Sequence, residues 1–220
     1  MNKYKLLIII CFLILTMYLP KVTASVNNLN LLGKIIVLDA GHGGKDNGAQ
    51  NSKIIEKDLN LLLVKKLEKE LISRGATVYL TREEDKDLST TTVNRKRSDL
   101  YNRAKYINNL SPDMYISVHL NSSPSPSWRG LQIFYTSKNE KNKKIAETMT
   151  SYLKENISNV REIKKDDTYY MYKYIKSPGV LVEAGFISNP NDNYLLRNEE
   201  YQYKLVNLIS NSIEIYFQNN

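Results

Sequence analysis

Short apolar runs alternate along this chain with longer segments of helical period. The run at 34–40, with Ile35, Ile36, Val37 and Leu38 in succession, predicts a buried strand. From 55 to 74, Leu59, Leu62, Leu63, Leu67 and Leu71 recur at helical spacing and predict an amphipathic helix with one apolar stripe. Gly75 stops it, and 77–81 predicts the next strand. A polar loop at 83–92 leads into a helix at about 93–109 with Leu100, Ala104 and Ile107 on its buried side. Ser111 and Pro112 break that helix before a strand that starts at Met114 and ends at His119. The Ser- and Pro-rich stretch 121–128 predicts a loop, 130–135 a strand, and 140–156 a helix with Ile145, Met149, Tyr152 and Leu153 inward. Residues 169–175 fit a strand or a loop equally well. A strand at 178–184 and a helix at about 199–216, with Leu205, Ile209 and Ile213 on one face, follow. Such alternation predicts an α/β fold: a three-layer α/β/α single domain around a twisted, mostly parallel sheet, with no internal repeat.

Candidate chemistry gathers where these strands end. The chain has two histidines, and both stand there: His42 among glycines after the 34–40 run, and His119 after Val118. Ligands in open α/β sheets collect at the carboxyl ends of strands, so two imidazoles at one edge suggest a metal. Glu56 precedes Leu59 by three residues and Leu63 by seven, so it projects toward the apolar stripe. A carboxylate facing a core is costly unless paired or coordinated. Complementing the dipole at the helix N-terminus would explain its place in the first turn, but not its face. Glu183 arrives where Val180, Leu181 and Val182 end as a buried strand, and Gly185 would then permit a sharp turn. A strand-end salt bridge is the plainer reading of Glu183. Two histidines with one glutamate and an open position suit catalytic zinc, and a second glutamate suits a general base. The His-Glu-x-x-His helix of thermolysin-like enzymes is absent.

Five blocks in order then resemble a known family: 36–44 (IVLDAGHGG), 56–61 (EKDLNL), 80–82 (LTR), 117–121 (SVHLN) and 181–190 (LVEAGFISNP). They are similar to the zinc-dependent N-acetylmuramoyl-L-alanine amidases of bacterial cell walls, from about residue 34 to the end of the chain. The resemblance implies one zinc ion held by His42, Glu56 and His119, with Glu183 as the catalytic carboxylate. It implies hydrolysis of the amide between the D-lactyl group of N-acetylmuramic acid and L-alanine in peptidoglycan. Arg82, Arg103 and Asn121 fall on familiar positions as substrate-binding residues. The two arginines could equally form structural ion pairs, and Asn121 could line the pocket or orient His119. Trp128 could stack on a sugar or simply pack. The compact form most resembles the members that modify spore cortex peptidoglycan, which implies an activating protein partner in sporulation. A vegetative autolysin, a zinc peptidase cutting within the stem peptide and a non-catalytic wall-binding protein are the competing readings.

Composition and the N-terminal segment refine this picture. Lys3 and Lys5 precede an apolar run at 6–19, and Val22-Thr23-Ala24 before Ser25 has the pattern of a cleavage site. A secretory signal peptide is expected at 1–24, with an uncleaved membrane anchor as the alternative, a linker at 25–33 and the catalytic domain at 34–220. The protein is thus expected outside the cytoplasmic membrane, in the cell wall or the spore cortex space. The one cysteine, Cys11, lies inside the apolar run, so no disulfide or thiol chemistry is expected in the domain. The net charge of +8 includes Lys3, Lys5 and Lys21 and suits an anionic wall or membrane surface. No nucleic-acid-binding motif accompanies it.

Overall fold

The computed structural model describes residues 29–220, so the export segment expected at 1–24 lies outside the described residues. Six strands form one sheet: β1 (Ile35–Ala40), β2 (Thr77–Leu80), β3 (Met114–Asn121), β4 (Gln132–Tyr135), β5 (Lys164–Lys165) and β6 (Gly179–Phe186). Their order is β2-β1-β3-β6-β4-β5. β1 pairs in parallel with β2 and β3, and β3 in parallel with β6. β4 runs antiparallel to β6 and parallel to β5. The helices are α1 (Glu56–Ser73), α2 (Arg95–Leu110), α3 (Glu140–Asn156), α4 (Pro190–Arg197) and α5 (Glu199–Gln218). The expected α/β class with a mostly parallel sheet is the observed one.

The two faces of the sheet are covered unequally. Even-numbered residues of the central strands, such as Ile36, Leu38, Ile116 and Val118, join the apolar sides of α1, α3 and α5 in the larger core. Odd-numbered ones, Val37, Tyr115 and Leu181, meet α2 and a short 3-10 helix, Tyr170–Lys173. This strict alternation of faces follows from the two-residue repeat of a strand. From β1 the chain moves outward to β2 and then returns to the opposite side of β1 for β3. The carboxyl ends of β1 and β3 therefore bound the switch point where ligands collect in such sheets.

Several local expectations are corrected. Leu31, expected in a linker, is fully buried, and its N–H bonds Arg74 O at 3.0 Å, so the domain begins before residue 34. Leu62, expected in the buried stripe of α1, is 43% exposed because it lies at the margin of that stripe. β3 and β6 do not stop at His119 and Glu183 but run on to Asn121 and Phe186. Their register shifts between His119 and Asn121, so the glycine expected to turn the chain, Gly185, instead lies in an irregular stretch of strand. The ambiguous segment contains the 3-10 helix. Helix α4 was not anticipated, although Asn189-Pro190 carries its signal. The Asn189 side chain accepts from the N–H groups of Asn191 and Asp192, and proline occupies the first turn. No helix among the described residues is long and apolar enough to cross a membrane.

Candidate metal centre

His42 is delivered by the loop after β1. Gly41 N–H still bonds Val118 O at 3.0 Å, so the loop leaves the sheet alongside β3. His42 itself has φ of 61°, a left-handed conformation that an ordinary side chain adopts at a cost. Arg103 Nη2 holds its carbonyl at 2.6 Å. His119 arrives from β3, and Glu56 is the first residue of α1, whose preceding residue, Ile55, provides no side-chain cap.

These three side chains converge. Glu56 Oε1 lies 3.0 Å from His42 Nε2 and 3.1 Å from His119 Nδ1. It also accepts from Leu120 N–H at 3.1 Å, while Oε2 accepts from Ala49 N–H at 2.7 Å. Glu56 is 3% exposed, as its place on the helix face requires. Burial opposes its ionisation, but the two imidazoles outweigh it and hold its pKa well below the usual carboxylate range. Candidate ligand atoms from all three residues lie within 4.8 Å of one another. Two nitrogens and one carboxylate oxygen form a donor set suited to zinc. The chain also makes room for the cluster. A Cβ on Gly41 would come within 2.3 Å of the His119 ring, and one on Gly48 within 2.5 Å of Glu56 Oε2. His119 Nε2 is buried without a hydrogen-bond partner.

Glu183 is the register partner of His119 on β6. The residue retains some solvent access, but its Oε2 is buried without a hydrogen-bond partner. Burial pushes the carboxyl up to about 7, Glu56 adds to the shift, and the two histidines oppose it. A carboxyl poised there can accept and return a proton near neutral pH.

Asp46 completes the His42 environment and escaped the sequence reading. Its Oδ2 lies 3.0 Å from His42 Nδ1, close enough for a charge contact but misaligned for a full hydrogen bond. Burial lowers the His42 pKa, but Glu56 and Asp46 together raise it above the ordinary value. The available signal was the four-residue spacing within 42–46.

Arg82 and Arg103, for which substrate contacts and structural ion pairs were equally expected, are both buried with their donors engaged internally. Arg82 is 2% exposed and donates to the carbonyls of Ala40, Gly41, Lys57 and Glu84. Arg103 is 1% exposed, pairs with Asp39 at 2.8 Å and Asp99 at 2.9 Å, and donates to Ala40 O. Together they clamp the loop that carries His42. Asn121 is partly exposed; its Oδ1 accepts from Ser122 N–H, and its carbonyl from Ile187 N–H. It therefore supports the bend beyond β3. Trp128 is 48% exposed, with the Arg161 guanidinium 4.4 Å from its ring centroid.

The sequence and the fold have counterparts among known proteins. The N-acetylmuramoyl-L-alanine amidase family matches residues 36–215. A germination-specific N-acetylmuramoyl-L-alanine amidase of Bacillus subtilis (strain 168) is 40% identical over 195 residues, covering 86% of this chain and 82% of the relative. The CwlD amidase from Clostridioides difficile, solved in complex with the GerS lipoprotein, matches with a TM-score of 0.80 at 37% identity, over 85% of this chain and 100% of that one. The catalytic domain of CwlV, an N-acetylmuramoyl-L-alanine amidase from Bacillus (Paenibacillus) polymyxa var. colistinus, gives 0.74 at 30% identity, over 85% and 99%. With a matching family, fold and activity in its relatives, the chain belongs to the N-acetylmuramoyl-L-alanine amidases.

Proposed function

We propose that this amidase is zinc-dependent and cleaves the bond between the D-lactyl group of N-acetylmuramic acid and L-alanine during spore cortex maturation. The observation that carries the reading is the meeting of His42, Glu56 and His119 around one carboxylate oxygen, with Glu183 on the adjacent strand. His42, Glu56 and His119 would hold one zinc ion. When bound, zinc acidifies water and stabilises negative charge on the carbonyl oxygen under attack. Glu183 takes the proton from the attacking water as the new carbon–oxygen bond forms. It then passes that proton to the departing alanine nitrogen as the amide bond breaks. Glu56 is held in place by Ala49 and Leu120 N–H groups, so it stays charged and oriented throughout. The products are a peptide-free muramic acid and a stem peptide with a free L-alanine amine.

The spore setting is supported by 40% identity to the germination-specific relative. The structure of CwlD with the GerS lipoprotein supports a protein partner for this chain as well. Export fits a peptidoglycan substrate, which lies beyond the cytoplasmic membrane.

Digestion of purified spore and vegetative peptidoglycan, with and without added zinc and read by mass spectrometry, tests this reading. Zinc-dependent release of intact stem peptides is expected. Cuts within the peptide would make the protein a peptidase, and equal release after chelation would remove the metal from the mechanism.

A further inference from the structure

On the sheet face that carries Glu183, three side chains stand directly opposite one another across three strands: His119 on β3, Glu183 on β6 and Gln132 on β4. Such neighbours have Cβ atoms roughly 4.5–5.5 Å apart. Gln132 is fixed in orientation, since its Nε2 donates to Glu162 O at 2.9 Å and its Oε1 accepts from Arg161 Nε at 3.3 Å. The Arg161 guanidinium lies 4.4 Å from the Trp128 ring centroid and 5.7 Å from that of Phe186. Arg161 N–H is itself anchored to Leu131 O at 2.8 Å.

This is a cation held in place without a counter-charge. Among the described residues Arg161 forms no ion pair, and its one side-chain hydrogen bond uses Nε. The neighbouring carboxylate of Glu162 pairs with Lys154 instead. Residues 1–28 contain no Asp or Glu. Both terminal nitrogens of a partly exposed guanidinium are therefore unengaged, one side chain removed from Glu183. A planar fork held beside two aromatic rings suits bidentate binding of a carboxylate.

Resting on the amidase reading above, we propose that Arg161, backed by Trp128, binds a carboxylate of the stem peptide on the residue that follows L-alanine. A substrate whose scissile amide lies over His119 and Glu183, and which follows the row of side chains they form with Gln132, sends one arm across β4. The peptide carries the free carboxylates, whereas the muramic carboxyl is consumed in the amide. The peptide arm thus crosses β4 toward Arg161, and the glycan leaves on the β1 side.

Two muramoyl tripeptides test this, identical except that the second residue bears a free α-carboxylate in one and a carboxamide in the other, with the C-terminus amidated in both. The zinc-loaded protein should prefer the carboxylate substrate by about 10- to 100-fold in kcat/KM, as expected for a charged hydrogen-bonded contact. Arg161→Gln should lower kcat/KM for that substrate alone and erase the preference. Arg161→Lys, which keeps the charge but not the fork, should restore only part of it. Equal cleavage of both substrates by the unaltered protein, or an equal loss on both in Arg161→Gln, overturns the proposal. Cleavage of neither substrate counts against the amidase reading. Calorimetric binding of the two free tripeptides then decides the carboxylate site: a preference that Arg161→Gln abolishes upholds it, and equal binding overturns it.

Discussion

The centre depends on single atoms. Glu183→Gln keeps the shape of the pocket but cannot accept a proton, so zinc content should be unchanged while turnover falls by roughly 10²- to 10⁴-fold. Near-normal turnover would remove Glu183 from the chemistry. Because burial raises its pKa to about 7, the unaltered enzyme should lose kcat/KM as pH falls and Glu183 becomes protonated. Bound zinc opposes that shift, so the apparent pKa in a pH–rate profile should lie at or below about 7. Asp46 faces the side of the His42 ring turned away from Glu56. Asp46→Asn should therefore weaken zinc binding by roughly 10- to 100-fold in a competitive chelator titration, and unchanged affinity would make Asp46 a bystander. His42, Glu56, His119 and Glu183 were legible because strand runs and helical spacing reveal which way a side chain points. Asp46 was not, and for Arg82 and Arg103 the residues were legible but not their partners, because most of these are backbone carbonyls that leave no periodic trace.

At the scale of elements, Arg103 ties α2 to the end of β1 through Asp39 and to its own helix through Asp99. Arg103→Met would leave both carboxylates buried without their cation, costing roughly 3–5 kcal/mol in urea denaturation. A cost below 1 kcal/mol would show the clamp to be dispensable. Burial alone would raise the Asp39 pKa, but Arg103, Ser117, His119 and Thr81 bring it down to about 2 from 3.8. A depressed carboxylate contributes stability above its unfolded pKa and loses it as pH falls through the folded one. Asp39 should thus contribute about 2 kcal/mol at neutral pH, lost between roughly pH 4 and pH 2. Asp39→Asn should flatten that part of the acid-unfolding curve. Most elements were legible as well, since α1, α3 and α5 follow the apolar period closely. β5 was not, because a strand of Lys164 and Lys165 carries no apolar signal and exists only through pairing with β4.

For the whole molecule, the candidate metal centre joins the end of β1, β3 and α1, so bound zinc should act as a staple on the folded state. A ligand at one hundred times its dissociation constant adds about 2.7 kcal/mol. For a domain of this size that corresponds to a Tm rise of roughly 5–10 °C, reversible by chelation. An unchanged Tm on zinc addition would mean that the cluster does not bind the ion. Order along the chain adds a temporal consequence. His42, Glu56 and His119 all precede β4, whereas Glu183 lies on β6, the last strand of the chain and the one inserted between β3 and β4. As the polypeptide grows, the candidate ligands emerge well before Glu183. The central gap in the sheet closes only once β6 has entered. A chain interrupted before β6 would therefore carry the three candidate ligands without Glu183 beside them.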